Sequence, residues 1–453
     1  MSVGDRVPDR VPSVANSDPA MIVGLLAVIY AVYLIAGSII GTSPVTNLMS
    51  LTKWIGLFAL GALALNLHWG YTGLFNIGIV AFMGVGVHVT AIVSKEPVTE
   101  GSGPVVSATG GLGLPLPIGM LAGAVAAALF GLVIALPALR LRADYLAIVT
   151  VAVSEIFRLV VRNPQLQSVE IGGLYLGLGG GDGLRLDWGS EAELLFDTLF
   201  LGGVYDGLVA ALDGVFTVPQ TQLDRIIYGL ILLVFVLLYY ALLQRLGNSP
   251  FGRVLKAIRE DEEAANSLGK DTNRFKIVVF MVGCGLMGLL GVLWFMNAAD
   301  RGTINHTQFR PTLTFFIWVA LIIGGAGSNT GSVIGGAVFA AVLFRGPRFL
   351  QDVLNTVTKT DLDDVARGGG LGEAMAPIAG SFDVMPLLLY TAAKIPALQL
   401  LVMGLVIIYL MHNRPDGLLG HRKEQAAAIS LSPPDRRSGG ERAVAADGGM
   451  EDE

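Results

Sequence analysis

Residues 250–276, PFGRVLKAIREDEEAANSLGKDTNRFK, form a dense island of charge between two long apolar runs, 226–243 and 277–297. A charged side chain at the centre of a bilayer costs about 2.5 to 3.5 kcal/mol, so a stretch with so many of them does not span one and must lie in water. Its residues are strong helix formers. A single helix over 253–268 would be about 24 Å long at ~1.5 Å per residue. A charged helix held in water between two membrane-spanning runs has the form of a docking element for a soluble partner.

The rest of the chain supports the membrane reading. Of 453 residues, 53% are hydrophobic and only 15% charged, with a mean hydropathy of +0.65, whereas charged residues make up about a quarter of an ordinary soluble protein. The composition predicts an all-α integral membrane protein, a polytopic helical bundle of about ten spans, some short or broken. The candidate spans lie near 20–40, 47–67, 73–93, 116–139, 145–161, 224–243, 277–297, 312–326, 329–346 and 394–412. The 59 glycines would weaken soluble helices, but small residues let membrane helices approach closely. Gly119 with Gly123, and Gly331 with Gly335, are read as packing pairs. The one cysteine, Cys284, lies in an apolar run, which leaves no disulfide or thiolate metal site within the chain, and five scattered histidines have no metal-ligand spacing. The run 21–40 exceeds a signal-peptide core and is expected to be a retained helix. A net charge of −6 argues against nucleic acid as a partner.

Sidedness follows from the basic residues, which collect on the cytoplasmic side of short loops. Arg140 with Arg142, the island, and Arg414 with Arg422 and Lys423 are separated by even numbers of spans, so all three can lie inside together. Both termini are then cytoplasmic, and the long loops 162–223 and 347–393, predominantly acidic through residues such as Glu170, Asp182, Asp187, Asp361 and Asp364, lie outside. The expected organisation is a disordered tail over 1–19, a transmembrane domain over 20–423 whose cytoplasmic loop is 244–276, and a second disordered tail over 424–453. Glycine clusters at 177–183 and 368–370 favour turns, and a short surface helix is expected at 191–201.

Broken helices survive within a bilayer only where protein or a water-filled cavity satisfies their backbone. Two clusters mark such places: Asn66, His68, Gly70, Tyr71, Thr72, Gly73, Asn76 and Gly78, and the run 324–331, GGAGSNTG, with Gly325 and Gly327. They are either tight turns between packed helices or the lining of a solute path. Glu155 and Arg158 stand three apart on one helix face, as a structural ion pair or as part of the same path. No G-x-x-x-x-G-K-[ST] phosphate loop is present, nor a G-x-S-x-G or H-E-x-x-H arrangement, so neither nucleotide hydrolysis nor hydrolase chemistry is expected of this chain, and no cofactor.

In order along residues 45–420, several segments match one family. These are 65–67 (LNL) with 70–78 (GYTGLFNIG), 139–150 (LRLRADYLAIVT) followed by Glu155 and Arg158, 252–262 (GRVLKAIREDE), 324–328 (GGAGS) with Gly331, and 414–420 (RPDGLLG). On these the chain resembles the LivM-type permease subunit of branched-chain amino acid ABC importers. Glu263-Ala264-Ala265 with Gly269 is similar to the E-A-A-x-x-x-G element by which importer permeases engage their ATPase. The resemblance implies a non-enzymatic permease in the plasma membrane that imports branched-chain amino acids. The implied partners are cytoplasmic ABC ATPase subunits that hydrolyse the ATP, a second LivH-like permease, an extracytoplasmic solute-binding protein and membrane lipid. The implied coupling residues are Gly252, Arg253, Lys256, Arg259, Glu260, Glu263 and Gly269. The candidate path residues are Asn66, Gly73, Asn76, Gly78, Glu155, Arg158, Gly325 and Gly327. A permease for urea or short amides and a stand-alone secondary transporter are the competing readings. For the latter, Glu155 is the one deep carboxylate available for ion coupling.

Overall fold

The computed structural model describes residues 18–98, 109–139, 143–186, 193, 195–196, 202–216, 219–296, 303–362, 364–365, 370–414 and 416–419. The tails expected at 1–19 and 424–453 fall almost wholly outside these residues, as do Arg140 and Arg142 and most of the surface helix expected at 191–201.

Each of the ten apolar segments contains a helix, although the one expected from 73 is helical only from Ile79. In chain order they are α1 (Asp18–Ile40), α2 (Pro44–Leu65), α3 (Ile79–Ser94), α4 (Leu116–Ala138) and α5 (Ala143–Arg162). There follow α6 (Gly202–Phe216), α7 (Gln220–Asn248), then α8 (Pro250–Glu260) and α9 (Glu262–Ser267) within the island. The remainder are α10 (Thr272–Phe295), α11 (Pro311–Gly324), α12 (Asn329–Val338), α13 (Gly346–Thr358), α14 (Leu371–Ser381), α15 (Met385–Ala393) and α16 (Ile395–Asn413). Among the described residues six helical stretches are long and apolar enough to cross a membrane, or seven if the bent pair α15–α16 counts as one, and α3 and α11 are shorter apolar helices. The α2 helix runs on through a π-helical turn, Asn66–Gly70, and α12 and α13 are joined by another, Phe339–Arg345. Much of the stretch 347–393 is therefore helical rather than loop.

Helix ends are set by local chemistry. The Ser249 hydroxyl accepts from the Gly252 amide with Pro250 in the first turn of α8, Asp271 caps α10 through the Arg274 amide, and Ser328 caps α12 through the Gly331 amide. The island departs from the single helix expected over 253–268. Asp261 adopts extended backbone (φ −156°, ψ 106°), and its carboxylate accepts from the Ala264 amide at 2.9 Å. An aspartate satisfies more hydrogen-bonding groups as an N-cap than inside a helix. The break turns α9 back toward α10, where Glu262 meets Lys276 at 2.6 Å and the Thr272 hydroxyl at 3.0 Å.

The core is a set of glycine-mediated crossings. A Cβ on Gly86 of α3 would lie 2.2 Å from the Gly288 carbonyl oxygen of α10, and one on Gly123 of α4 would lie 2.4 Å from the Gly86 carbonyl oxygen. Three helices thus meet backbone to backbone, a distance that a side chain on any of them would forbid. Gly335 performs the same service where α12 crosses α11, since its Cβ would be 2.1 Å from the Ala320 carbonyl oxygen. Both glycine pairs singled out in the sequence are packing positions. Beyond the bundle, β1 (Val169–Ile171) and β2 (Leu174–Leu176) form a hairpin within the 162–223 loop, and β3 (Leu184–Arg185) of that loop pairs with β4 (Thr303–Ile304) of the α10–α11 link.

Candidate functional site

The island does not float free of the bundle. Leu255, Ile258 and Ala265 are buried, anchoring one face of α8 and α9, while Arg253, Glu260 and Glu263 are exposed. Gly252 is buried because the chain doubles back there: a Cβ would sit 2.3 Å from the Leu246 carbonyl oxygen. Gly252 therefore makes the α7–α8 corner and presents nothing outward. Gly269 closes α9 at φ +76° with open space around it.

Two island cations touch the bundle, Lys256 half-buried and Arg259 exposed except at its tip. The Lys256 ammonium lies 5.9 Å from the Tyr71 ring centroid. The Arg259 guanidinium donates to the Gly70 carbonyl, the last residue of the π-turn that ends α2. Its Nη1 also lies where a Cβ on Gly327 would approach to 2.9 Å, and its Cγ lies 3.7 Å from a Cβ built on Gly73. Arg259 thus spans both glycine-rich breaks. Gly73 (φ +72°), Gly325 (φ +102°) and Gly327 (φ +92°) hold left-handed backbone that a Cβ would strain.

Beneath Arg259 lies a polar network, buried at Asn66, Tyr71 and Asn329 and open to solvent at Gln244. Asn66 accepts from the Gly327 amide at 2.7 Å and donates to Asn329 Oδ1 at 3.1 Å. Asn329 Oδ1 also accepts from the Tyr71 hydroxyl at 2.9 Å, and its amide nitrogen donates to Gln244 Oε1 at 3.3 Å. One turn on, Tyr240 and Thr330 hydroxyls are 3.0 Å apart. Residues 416–419 complete this end: the Leu418 and Leu419 amides donate to the Ile323 and Gly324 carbonyls at 2.9 and 3.1 Å, pairing acceptors that the end of α11 leaves open. Asn66, Gly73, Gly325 and Gly327 are therefore brought together, at the end of the bundle where the island attaches.

Asn76 and Gly78 belong to the extended link between α2 and α3. Asn76 Nδ2 donates to His68 Nδ1 at 3.2 Å, and His68 Nε2 lies 3.1 Å from the Phe280 carbonyl. A carbonyl only accepts, so Nε2 carries the proton and Nδ1 is the acceptor, which is the neutral imidazole. Trp318 Nε1 donates to the Asn76 carbonyl at 3.0 Å, and the Thr150 hydroxyl of α5 accepts from the Ile77 amide at 3.0 Å. Every polar group named on this link has a protein partner, as burial demands.

Glu155 and Arg158 are not part of this assembly. They bond each other, with Arg158 Nε donating to Glu155 Oε2 at 2.9 Å, and the Glu155 side chain is 42% exposed. Thr150 and Ser154 are buried on the packed face of α5, and the ion pair flanks an outward stripe of Tyr145, Ile148, Ile156 and Leu159. Of the other outward apolar stripes, that of α4 (Leu121, Val125, Leu129, Val133) carries no charge at all.

Four residues of the site escaped the sequence-based selection. Tyr71 and Asn329 stood inside the recognised clusters but were not chosen. Gln244 had one available signal, a lone amide near the end of an apolar run just before the island. Leu268 is 79% exposed at the tip of α9, and its signal was an aliphatic residue bounded by Ser267 and Gly269. Among the described residues no group of three His, Cys, Asp or Glu side chains could hold a metal ion.

The family profile described as branched-chain amino acid transport system / permease component matches residues 47–351. The chain is 30% identical over 304 residues to the high-affinity branched-chain amino acid transport system permease protein LivM of Salmonella typhimurium, covering 66% of this chain and 62% of the relative. It is 26% identical over 305 residues to the probable LivM of Methanocaldococcus jannaschii, covering 62% and 76% respectively. A shorter similarity, 33% over 91 residues and 20% of this chain, relates it to LivH of Escherichia coli, of which it covers 28%. The chain thus spans less than two thirds of the Salmonella relative's length. No solved structure matches it. A profile covering most of the folded bundle, with apolar helices that cross one another through glycine and a charged island outside them, makes this a multi-pass cell-membrane protein belonging to the branched-chain amino acid transport system permease family.

Proposed function

We propose that the chain is the permease subunit of an ATP-binding cassette importer for branched-chain amino acids, driven by ATPase subunits that dock on α8 and α9. One observation carries the reading. The exposed island is joined through Arg259 to the carbonyl that ends α2 and to the glycine loop between α11 and α12. A push on the island's outer face is then transmitted to two broken helices at once, which suits a part that converts motion of soluble subunits into rearrangement of spans.

The work divides within the island. Arg253, Glu260, Glu263, Leu268 and the Gly269 turn form the outward face on which an ATPase cleft fits. Lys256 and Arg259 carry the displacement inward, and Gly252 holds the corner. A LivH-like second permease and an external solute-binding protein complete the assembly. The stripe of α5 with Glu155 and Arg158 faces the second permease, because an ion pair is costly against lipid and stable against a polar or water-filled seam. Asn66, Gly73, Asn76, Gly78, Gly325 and Gly327 shape the gate at the inner end of that path.

The test is reconstitution with candidate ATPases and binding protein in sealed vesicles. ATP-dependent leucine uptake is expected from the wild type, with no uptake of urea. Leucine uptake that needs no ATPase and collapses with the ion gradient would sink the proposal.

A further inference from the structure

The end of the bundle opposite the island holds a feature that the polar network does not use. Lys53 and Trp54 lie sixteen or so residues before the Gly70 end of α2, about 25 Å away along the helix at ~1.5 Å per residue. Trp294 lies at the corresponding far end of α10. Between them and the start of α11 is a cavity of about 480 Å3.

Its walls have two kinds of chemistry. Trp54, Trp294, Phe316 and Phe344 make an aromatic box, with Trp54 5.6 Å from Trp294 and 4.7 Å from Phe344 between ring centroids. Lys53 and Arg310 line the same space, together with Thr307 and Gln308, and no carboxylate does among the described residues. The Lys53 ammonium stands 5.0 Å from the Trp54 centroid, at the junction of charge and ring. On the other side of Lys53 and Trp54 a second cavity of about 310 Å3 adds Arg225 and Arg345 against the single acid Asp352. Among the described residues Arg345 Nε is buried with no hydrogen-bond partner. Cations thus outnumber acids around an apolar floor. Ligand sites commonly have this form, an apolar lining with a few placed polar groups.

We infer that the larger cavity binds a small anion with an apolar body, its negative group held by Lys53 and Arg310 and its hydrocarbon resting on Trp54, Trp294 and Phe344. This rests on the importer reading, because a branched-chain amino acid is a carboxylate on a branched apolar stem. An anionic lipid, with a phosphate above an acyl chain, offers the same chemistry from a second source. Among the described residues the walls carry no acid to hold an ammonium group, so recognition falls on the carboxylate end.

The experiment uses the complex that co-purifies with the full chain, held in nanodiscs of phosphatidylcholine without the binding protein. Saturable retention of radiolabelled leucine is expected, displaced by 4-methylpentanoate and not by isopentylamine. Lys53→Gln combined with Arg310→Gln is expected to weaken retention tenfold or more, and Lys53→Arg to restore it, which separates charge loss from misfolding. If wild-type discs retain no leucine, but the complex extracted from native membranes carries phosphatidylglycerol that the double variant lacks, the bound anion is the lipid. Equal leucine retention and equal phosphatidylglycerol content in wild type and double variant would overturn the inference. ATP-driven leucine uptake by the wild type in that case leaves the importer reading standing, and its absence removes that reading separately.

Discussion

The two ends of the bundle solve the problem of buried polarity in opposite ways. At the island end, Asn66, Tyr71, Gln244 and Asn329 share hydrogen bonds with one another and with the Gly327 amide, and Arg259 closes over them onto the Gly70 carbonyl. At the far end, Lys53 and Arg310 border open cavities floored by aromatic rings. A network buried at its centre has few ways to move except as a unit, because breaking a bond at Asn66, Tyr71 or Asn329 leaves a buried group unpaired. An open cavity has room to take something in. The difference separates an end suited to transmitting motion from an end suited to receiving a solute.

That contrast can be broken most directly at Arg259. Loss of a hydrogen bond to a charged group, about 1.5 to 3 kcal/mol, predicts that Arg259→Ala lowers ATP-driven leucine uptake by roughly 10- to 100-fold. ATP hydrolysis by the docked partners should continue, and the paired measurement of uptake and phosphate release reads the uncoupling. Equal loss of both activities would mean that Arg259 serves docking instead.

Asn329→Ala comes next. Its side chain takes part in three hydrogen bonds, so truncation strands the buried Asn66 Nδ2 at a cost of about 1 to 3 kcal/mol, while the exposed Gln244 turns to water. Thermal unfolding in detergent should show a lowered midpoint. Trp54→Phe at the far end, which strands no buried acceptor, should shift that midpoint less. A larger shift from Trp54→Phe would reverse the assignment of the rigid end.

A smaller effect is expected from Leu268→Ser. The side chain touches solvent over most of its surface, so the folded bundle should keep its stability, and only retention of the partner ATPases through purification should weaken. The smallest concerns Glu155→Gln. A half-exposed ion pair is worth about 0 to 1 kcal/mol in water, so the amount of folded protein should hardly change. A marked change in leucine uptake by that variant would place α5 on the solute path.

Much of this was legible in the chain. Apolar runs bounded by charge or glycine located all ten segments that became helices, because exclusion from lipid is a local property of a residue and its neighbours. The packing roles of Gly119, Gly123, Gly331 and Gly335 were readable for the same reason. The break at Asp261 was not. A run of helix formers gives no sign that capping Ala264 and bringing Glu262 to Lys276 outweigh continuing the helix. The inward turn of Arg259 was equally hidden, since its charge and position suit a surface contact as well as an internal one.

What the sequence determined by itself is the membrane class of this protein, its segments and the water-exposed island, each a consequence of transfer free energies that act residue by residue. The tertiary structure alone decided that Asn66 meets Asn329, that Arg259 lies across both helix breaks, and that Lys53, Trp54, Trp294 and Arg310 enclose one space. Those pairings join residues up to about 260 positions apart, as the Asn66–Asn329 bond illustrates. They exist only because glycine lets the helices cross closely enough to carry distant side chains into contact.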